Sequence, residues 1–298
     1  MTTKKILKLA SKHLEYLPGR SFEIFNLSKP SNLEEAVTLA KLYKIVSKVS
    51  SLVGNLIEFD AAEYLNTYDE YAEFGTWIRQ DPGFPDIILK GDIRPIPGFE
   101  VKAWYPFSTE ITGRFKDSQN HFLHDQTYVM LLAWLPEFII YGKPMLLDIL
   151  IVSGKSVAKT RDDHYYKPPK YLVLEPEDTS ARTRNLQQTN TNGYVFQDKD
   201  KKFNEAKKFV EELGEDFSEY KTSKEYQETI RKFIENYKYR LDTNYAKIDR
   251  IDHEEIEKFK SKVLNMPLYG WKVKEWFSLL SKGTDEQIKE AIRDNIPL

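Results

Sequence analysis

The 298-residue chain is 41% hydrophobic and 30% charged, enough apolar material for a sizeable core in one large domain or two small ones, which excludes a disordered chain. Its 44 basic and 46 acidic residues leave a net charge of -2, so no global basic field gathers nucleic acid and any anionic partner must be met by a local patch. Cysteine is absent, which excludes disulfides and thiolate zinc sites and suits a reducing cytoplasm.

The first twenty residues, "MTTKKILKLASKHLEYLPGR", read as an amphipathic helix; their apolar stretch is too short and interrupted for a secretory signal. From Leu33 to about Leu65, Val37, Leu42, Ile45, Val46, Val49, Leu52, Val53, Leu56 and Ile57 recur at helical spacing. This is one long helix, with Gly54 as the place where it would bend. A polar aromatic connection follows, then strands at 86–89 and 99–104. "YVMLLAWLPEFIIYGKPMLLDILIV" (128–152) is long enough to suggest a membrane span, but Pro136, Glu137, Lys143, Pro144 and Asp148 interrupt it. It reads instead as two buried strands, 128–140 and 145–152, around a turn at Tyr141-Gly142-Lys143-Pro144. A short segment carrying "RDDHYYKPP" and a strand at 171–175 come next. Beyond Lys199 the chain becomes charged and helical: Tyr226, Ile230, Phe233, Ile234, Tyr237 and Leu241 form one amphipathic stripe, and Ile256, Phe259 and Val263 begin another. The order is α/β, a mixed sheet with flanking helices over 1–198, followed by a helical region over 199–298 that stands as a separate part or belongs to the same domain.

Two of these strands carry the chemistry. Residues two apart on a strand point the same way, so Glu100 and Lys102 share a face while Val101 points to the other. The triplet acid-x-Lys is cheap by itself, since it also starts at Asp200, Glu205 and Glu219 in the charged tail. Only Glu100 sits on an apolar strand, and only there does the chain's sole Pro-Asp pair, Pro85-Asp86, precede it, by fourteen residues. The turn-rich "KGDIRPIPG" would fold the second strand back beside the first and bring Asp86 close to Glu100. Two carboxylates would then face a hard divalent cation with an ammonium beside them; the plain alternative is a surface hairpin with a solvated Glu and Lys.

Pro85-Asp86 followed by Glu100-Val101-Lys102 resembles the PD-(D/E)xK signature of the nuclease superfamily that includes type II restriction endonucleases and the mismatch-repair nickase. Gly54 and Glu58 in "VGNLIEFDAAEYL" resemble the Gly-x-x-x-Glu pattern that members often carry on the preceding helix. The resemblance covers roughly residues 45 to 175, and its motifs are short. It implies a restriction-endonuclease-like core and Mg²⁺-dependent, sequence-specific double-strand cleavage of DNA. It further implies a homodimer on a palindromic site and a prokaryotic cytoplasmic enzyme of a restriction-modification system. Asp86 and Glu100 would hold the metal, with the carbonyl of Val101 as a third donor. Lys102 would position and help deprotonate the attacking water, and Glu58 would orient a metal-bound water or assist a second ion. Glu63 is a rival to Glu58, and a glutamate on an amphipathic helix is otherwise a solvated one. Within the same fold, a repair or structure-selective nuclease and a non-catalytic DNA-binding module are the alternatives.

Two segments are candidates for reading DNA. "EPEDTSARTRNLQQTNTNGYVFQ" (175–197) concentrates Arg182, Arg184, Asn185, Gln187, Gln188, Asn190 and Asn192, residue types that pair with guanine or adenine edges in the major groove. Thr112, Arg114 and Lys116 follow the second motif strand and would reach phosphates or base edges. Both read equally as polar surface loops. The helices of 199–298 are the candidate dimer or clamp surface. Other patterns fail: "SGKS" (153–156) has Ile149 where a phosphate loop needs glycine. His121 and His124 lack further zinc ligands nearby, and Asp162, Asp163 and His164 read as an acidic loop cluster. No serine or cysteine nucleophile motif is evident.

Overall fold

The computed structural model describes residues 1–22, 26–107, 119–122, 125–166, 171–174, 192–197, 202–212, 223–241 and 253–298. In chain order, helices α1 (Thr3–Leu14), α2 (Leu33–Lys41), α3 (Tyr43–Val46) and α4 (Ser50–Asn66) lead into strands β1 (Gly75–Arg79), β2 (Ile87–Gly91), β3 (Gly98–Trp104), β4 (Thr127–Pro136) and β5 (Pro144–Ser153). Helix α5 (Gly154–Tyr166), strands β6 (Tyr171–Leu174) and β7 (Asn192–Phe196), helices α6 (Phe203–Glu212) and α7 (Lys224–Asn236) and strand β8 (Tyr239–Leu241) follow. The chain ends on α8 (Glu254–Leu264), the two-residue strands β9 (Pro267–Leu268) and β10 (Trp271–Lys272), α9 (Val273–Lys282) and α10 (Asp285–Asn295).

These elements form two compact units, each discontinuous in sequence. One gathers Met1–Ile111, Phe122–Ser156 and Glu254–Leu298; the other gathers Thr112–His121 and Val157–His253. The last three helices therefore cluster with the first half of the chain rather than with residues 199–253.

The first unit is built on a five-stranded sheet in the order β1-β2-β3-β4-β5. β3 and β4 run parallel and the other neighbours antiparallel, so the sheet is mixed. β4 lies between two partners and every residue of it except Tyr128 is buried. That accounts for its unbroken apolar sequence: a strand covered on both faces has no polar side to show. Its partner β5 begins after a turn in which Ile139 and Gly142 adopt positive φ, 70° and 96°. No helix among the described residues is long and apolar enough to cross a membrane.

Helix starts follow their caps. Asn32 accepts from the Glu35 N–H at 2.9 Å while Glu35 returns to the Ser31 N–H at 2.7 Å, so α2 begins where its free donors are met. The expected single helix over 33–65 is instead three: Leu42 interrupts it and a 3-10 turn at Ser47–Val49 bends it again. Gly54 lies inside regular α4, where a Cβ would sit 3.7 Å from that of Ala103 on β3, an ordinary contact. Helices α1 and α4 pack together, α4 lies against β1 and β3, and α8 against β5. The Trp104 ring meets Phe259, and Lys262 of α8 pairs with Asp148 of β5 at 2.7 Å.

The second unit carries a three-stranded antiparallel sheet, β6-β7-β8. Leu172, Ala206, Tyr226, Ile230, Phe233 and Tyr239 form its core, with the apolar stripe of α7 turned inward. "RDDHYY", expected as a loop, is the end of α5.

Candidate active site

The β2–β3 ladder pairs Ile87 with Phe99 and Ile88 with Gly98. Extending that register by one residue sets Asp86 opposite Glu100. Asp86 Oδ2 accepts the Val101 N–H at 2.7 Å, which ties the Pro85-Asp86 step to the Glu100-Val101-Lys102 strand. Gln80 holds the same step from the other side: its N–H donates to the Asp86 carbonyl at 2.7 Å and its amide to the Pro85 carbonyl at 2.8 Å. The sequence expectation that the two motif strands return side by side is met.

Lys102 lies along the strand over its neighbours. Its Nζ is 2.5 Å from Glu100 Oε1 and donates to the Val101 carbonyl at 3.0 Å. The other Glu100 oxygen, Oε2, is buried and meets no hydrogen-bond donor among the described residues. Burial raises the Glu100 carboxyl above its ordinary range; the Lys102 charge pulls it down and the Asp86 charge pushes it up again. A hydrogen bond between the Glu100 and Asp86 carboxyls raises it further, so the pair is held together by a shared proton or by positive charge, of which Lys102 supplies one.

Glu58 reaches the same place from α4. It is largely buried, and its pKa is raised by burial, lowered by the bond from Arg79, and raised by the Asp86 charge. Arg79, at the end of β1, donates from Nε to Glu58 Oε2 at 2.7 Å and from Nη2 to Asn55 Oδ1 at 2.7 Å, and pairs with Asp81 at 3.0 Å. The structure thus brings Asp86, Glu100 and Lys102 together, with Glu58 near enough for the charges of Asp86 and Lys102 to act on its carboxyl. Glu63, the rival, is exposed on the same helix. Arg79, Gln80 and Asn55 are the site residues that sequence reading missed. The signal for the first two lay in "GTWIRQ" (75–80), whose alternation and β-favouring Thr76, Trp77 and Ile78 mark a strand.

The donor set fits a hard divalent cation: the Asp86 and Glu100 carboxylates, one with an unpaired buried oxygen, and the Val101 carbonyl. Among the described residues no three His, Cys, Asp or Glu side chains form a cage. Mg²⁺ does not ask for one, since it is held by one or two carboxylates and keeps water and substrate oxygens as its other ligands.

Thr112, Arg114, Lys116, Arg182, Arg184, Asn185, Gln187, Gln188 and Asn190 lie outside the described residues, as does His124; Asn192 opens strand β7. Asp162, expected in a loop acid cluster, is buried in α5 beside Arg161 and accepts from Gln119 Nε2 at 2.8 Å, while Asp163 pairs with Lys159 at 2.5 Å. These two acids are engaged in separate bonds on a helix and do not converge. No protein-family model, curated protein or solved structure matches this chain. The class that fold and geometry define is a mixed α/β protein with paired strand carboxylates and a lysine at one point of its sheet.

Proposed function

We propose that the chain is a Mg²⁺-dependent DNA endonuclease of the type II restriction kind, on a restriction-endonuclease-like core, cleaving both strands at a fixed sequence as a homodimer. The observation that carries this reading is the closure of Asp86 onto the β3 backbone. It sets two acids side by side with Lys102 next to them and leaves one buried carboxylate oxygen unsatisfied. When bound, Mg²⁺ supplies neutralising charge for the phosphodiester and acidifies water. Asp86, Glu100 and the Val101 carbonyl would hold it. Lys102, released from the Val101 carbonyl, would lie by the scissile phosphate, orient the attacking water and offset developing charge on oxygen. Glu58, fixed by Arg79, would accept a hydrogen bond from water on the α4 side.

A second reading has its own support. Glu100 is already paired with Lys102 and Glu58 with Arg79, as in a structural ion-pair network on a DNA-binding module that does not cut. Incubating the protein with supercoiled plasmid in Mg²⁺ and in EDTA, then mapping the ends, separates the readings. Cuts at one recurring sequence in Mg²⁺ alone support the proposal. Cuts without a fixed sequence point to a repair or structure-selective nuclease, and binding without any cut to the non-catalytic module.

A further inference from the structure

Helix α4 and the turns before it are apolar on two sides. One side, with Val46, Val53, Ile57, Ala61 and Leu65, is buried in the first unit. The other carries Leu42, Ile45, Val49, Leu52, Leu56 and Phe59 at alternating spacings of three and four. Leu42, Ile45, Leu52 and Phe59 are 39%, 63%, 45% and 61% exposed, and Val49 and Leu56 are half-buried between them. A second apolar stripe left exposed on a helix already buried along one face marks a docking surface, and three-four spacing is the seam along which two helices interlock.

From this stripe we infer that the outward face of α3 and α4 is the surface on which a second copy of this chain docks, the segment from Leu42 to Phe59 of one copy running antiparallel to that of the other about a two-fold axis near Ser50 and Ser51, where the 3-10 turn meets α4. Three observations choose that occupant. The first is self-complementarity: an antiparallel partner sets Leu42 against Phe59, Ile45 against Leu56 and Val49 against Leu52, so every layer joins a three-step residue to a four-step one and none is left over. The second is charge. Lys44 and Lys48 stand at the start of the stripe and Glu63 at its end, while Lys41 and Asp60 beside them are already paired with Asp285 and Arg20 of the same chain. Antiparallel packing brings each basic end beside an acidic end, whereas parallel packing would place like against like. A membrane-surface helix instead carries basic residues along its whole polar flank. The third is area. Scaled by their exposures, the four open side chains offer on the order of 400 Å² of apolar surface per copy, and a standard interface takes about 800 Å² from each partner, polar rim included. The exposed lysines, Ser51 and Asn55 beside the stripe furnish that rim.

The C-terminal helices, the expected dimer surface, are poorer candidates. Val273, Trp276 and Leu280 of α9, and Ile288, Ala291 and Ile292 of α10, are already buried. The inference does not depend on DNA cleavage: a dimer that fails to cut leaves it standing, and a monomer that cuts overturns it, and with it the homodimer of the proposed function, but not the cleavage.

The test is the solution mass of the full chain by sedimentation or light scattering at micromolar concentration. Twice the 35.0 kDa chain mass is expected. Leu52→Asp and, at the most exposed position, Ile45→Asp should each return a monomer or weaken association at least tenfold, with circular dichroism unchanged; should Leu52→Asp unfold, Ile45→Asp decides. Lys44→Glu with Lys48→Glu should weaken the dimer and added Glu63→Lys should restore it. A wild-type monomer, a dimer indifferent to the folded apolar variants, or a charge reversal that Glu63→Lys fails to restore would overturn the inference.

Discussion

Glu100 carries the strongest electrostatic tension of the site at the scale of one side chain. One of its oxygens touches Lys102 and the other is buried without a donor among the described residues, an arrangement that costs stability in the cation-free protein. Its pKa is raised by burial foremost, so between the ordinary value of 4.5 and the raised one the folded protein holds a proton that the unfolded chain has released. That contribution to stability is full below 4.5 and is lost as pH rises through the folded value. Glu100→Gln in EDTA should therefore raise the melting temperature at neutral pH, by about 2–4 °C for each kcal/mol of relief, and flatten its decline above 4.5. Calorimetry of the two proteins across pH 4 to 8 reads this directly, and an unchanged slope would show that Glu100 keeps its ordinary charge in the fold. On the proposed nuclease reading, Lys102→Ala should lower single-turnover cleavage roughly 100-fold or more while DNA affinity falls little. A binding loss that accounts for the whole defect would make Lys102 a phosphate anchor. Asp86→Ala should abolish cleavage without unfolding the chain, and a normal rate in that variant would end the assignment of the metal pair.

Between elements, the decisive link runs from β1 to α4 through Arg79. Its guanidinium bonds Glu58 and Asn55 one turn apart on the helix, fixing α4 against the sheet edge next to Asp86. The same bond lowers the Glu58 pKa against the burial that raises it. Arg79→Ala should leave Glu58 to titrate higher, moving the acid limb of the cleavage pH profile upward, while Arg79→Lys keeps a charge and recovers part of the shift. An arginine with a purely structural role would lower stability in both variants and leave the profile where it was. The alternation in "GTWIRQ" marks β1, but a strand this short with a single buried residue is easily passed over, and an arginine at its end names no partner. The motif strands were legible for the opposite reason. β2, β3, β4 and β5 each match an expected strand, since Pro and Gly bound them and the apolar residues within are continuous or alternate. The break of the long helix was misplaced for a physical reason: glycine lowers helix propensity by about 1 kcal/mol, yet Gly54 stays helical because α4 packs against β3 there. At Ser47–Val49 the backbone tightens into a 3-10 turn with no glycine or proline to announce it.

At the scale of the molecule, composition and contacts divide the chain differently. The change to charged helices near residue 199 marks a helical region that stands apart or belongs to the same domain, and within it residues 254–298 cluster with the first unit. Ile256, Phe259, Val263, Val273, Trp276, Leu280, Ile288, Ala291, Ile292 and Ile296 are buried there, and α10 packs against α2, with Lys41 and Asp285 paired at 2.7 Å. Tyr269 donates to the Glu137 carbonyl at 2.9 Å, and the Tyr141 hydroxyl to that of Pro297. Each large buried apolar side chain contributes about 1.5–3 kcal/mol, so their summed loss exceeds the 5–15 kcal/mol by which a domain is ordinarily stable. A chain ending at residue 253 should therefore lose the cooperative melting of the first unit, and with it the proposed Mg²⁺-dependent cleavage, although Asp86, Glu100 and Lys102 are all still present. Were the last three helices an appended clamp, the shortened protein would melt within a few degrees of the full chain and fail only in holding DNA. Thermal unfolding followed by tryptophan fluorescence separates the two, because Trp77, Trp104 and Trp134 belong to the first unit and are buried in it. A shortened chain whose fluorescence still reports one sharp transition at the original temperature would return the C-terminal helices to the status of an independent part.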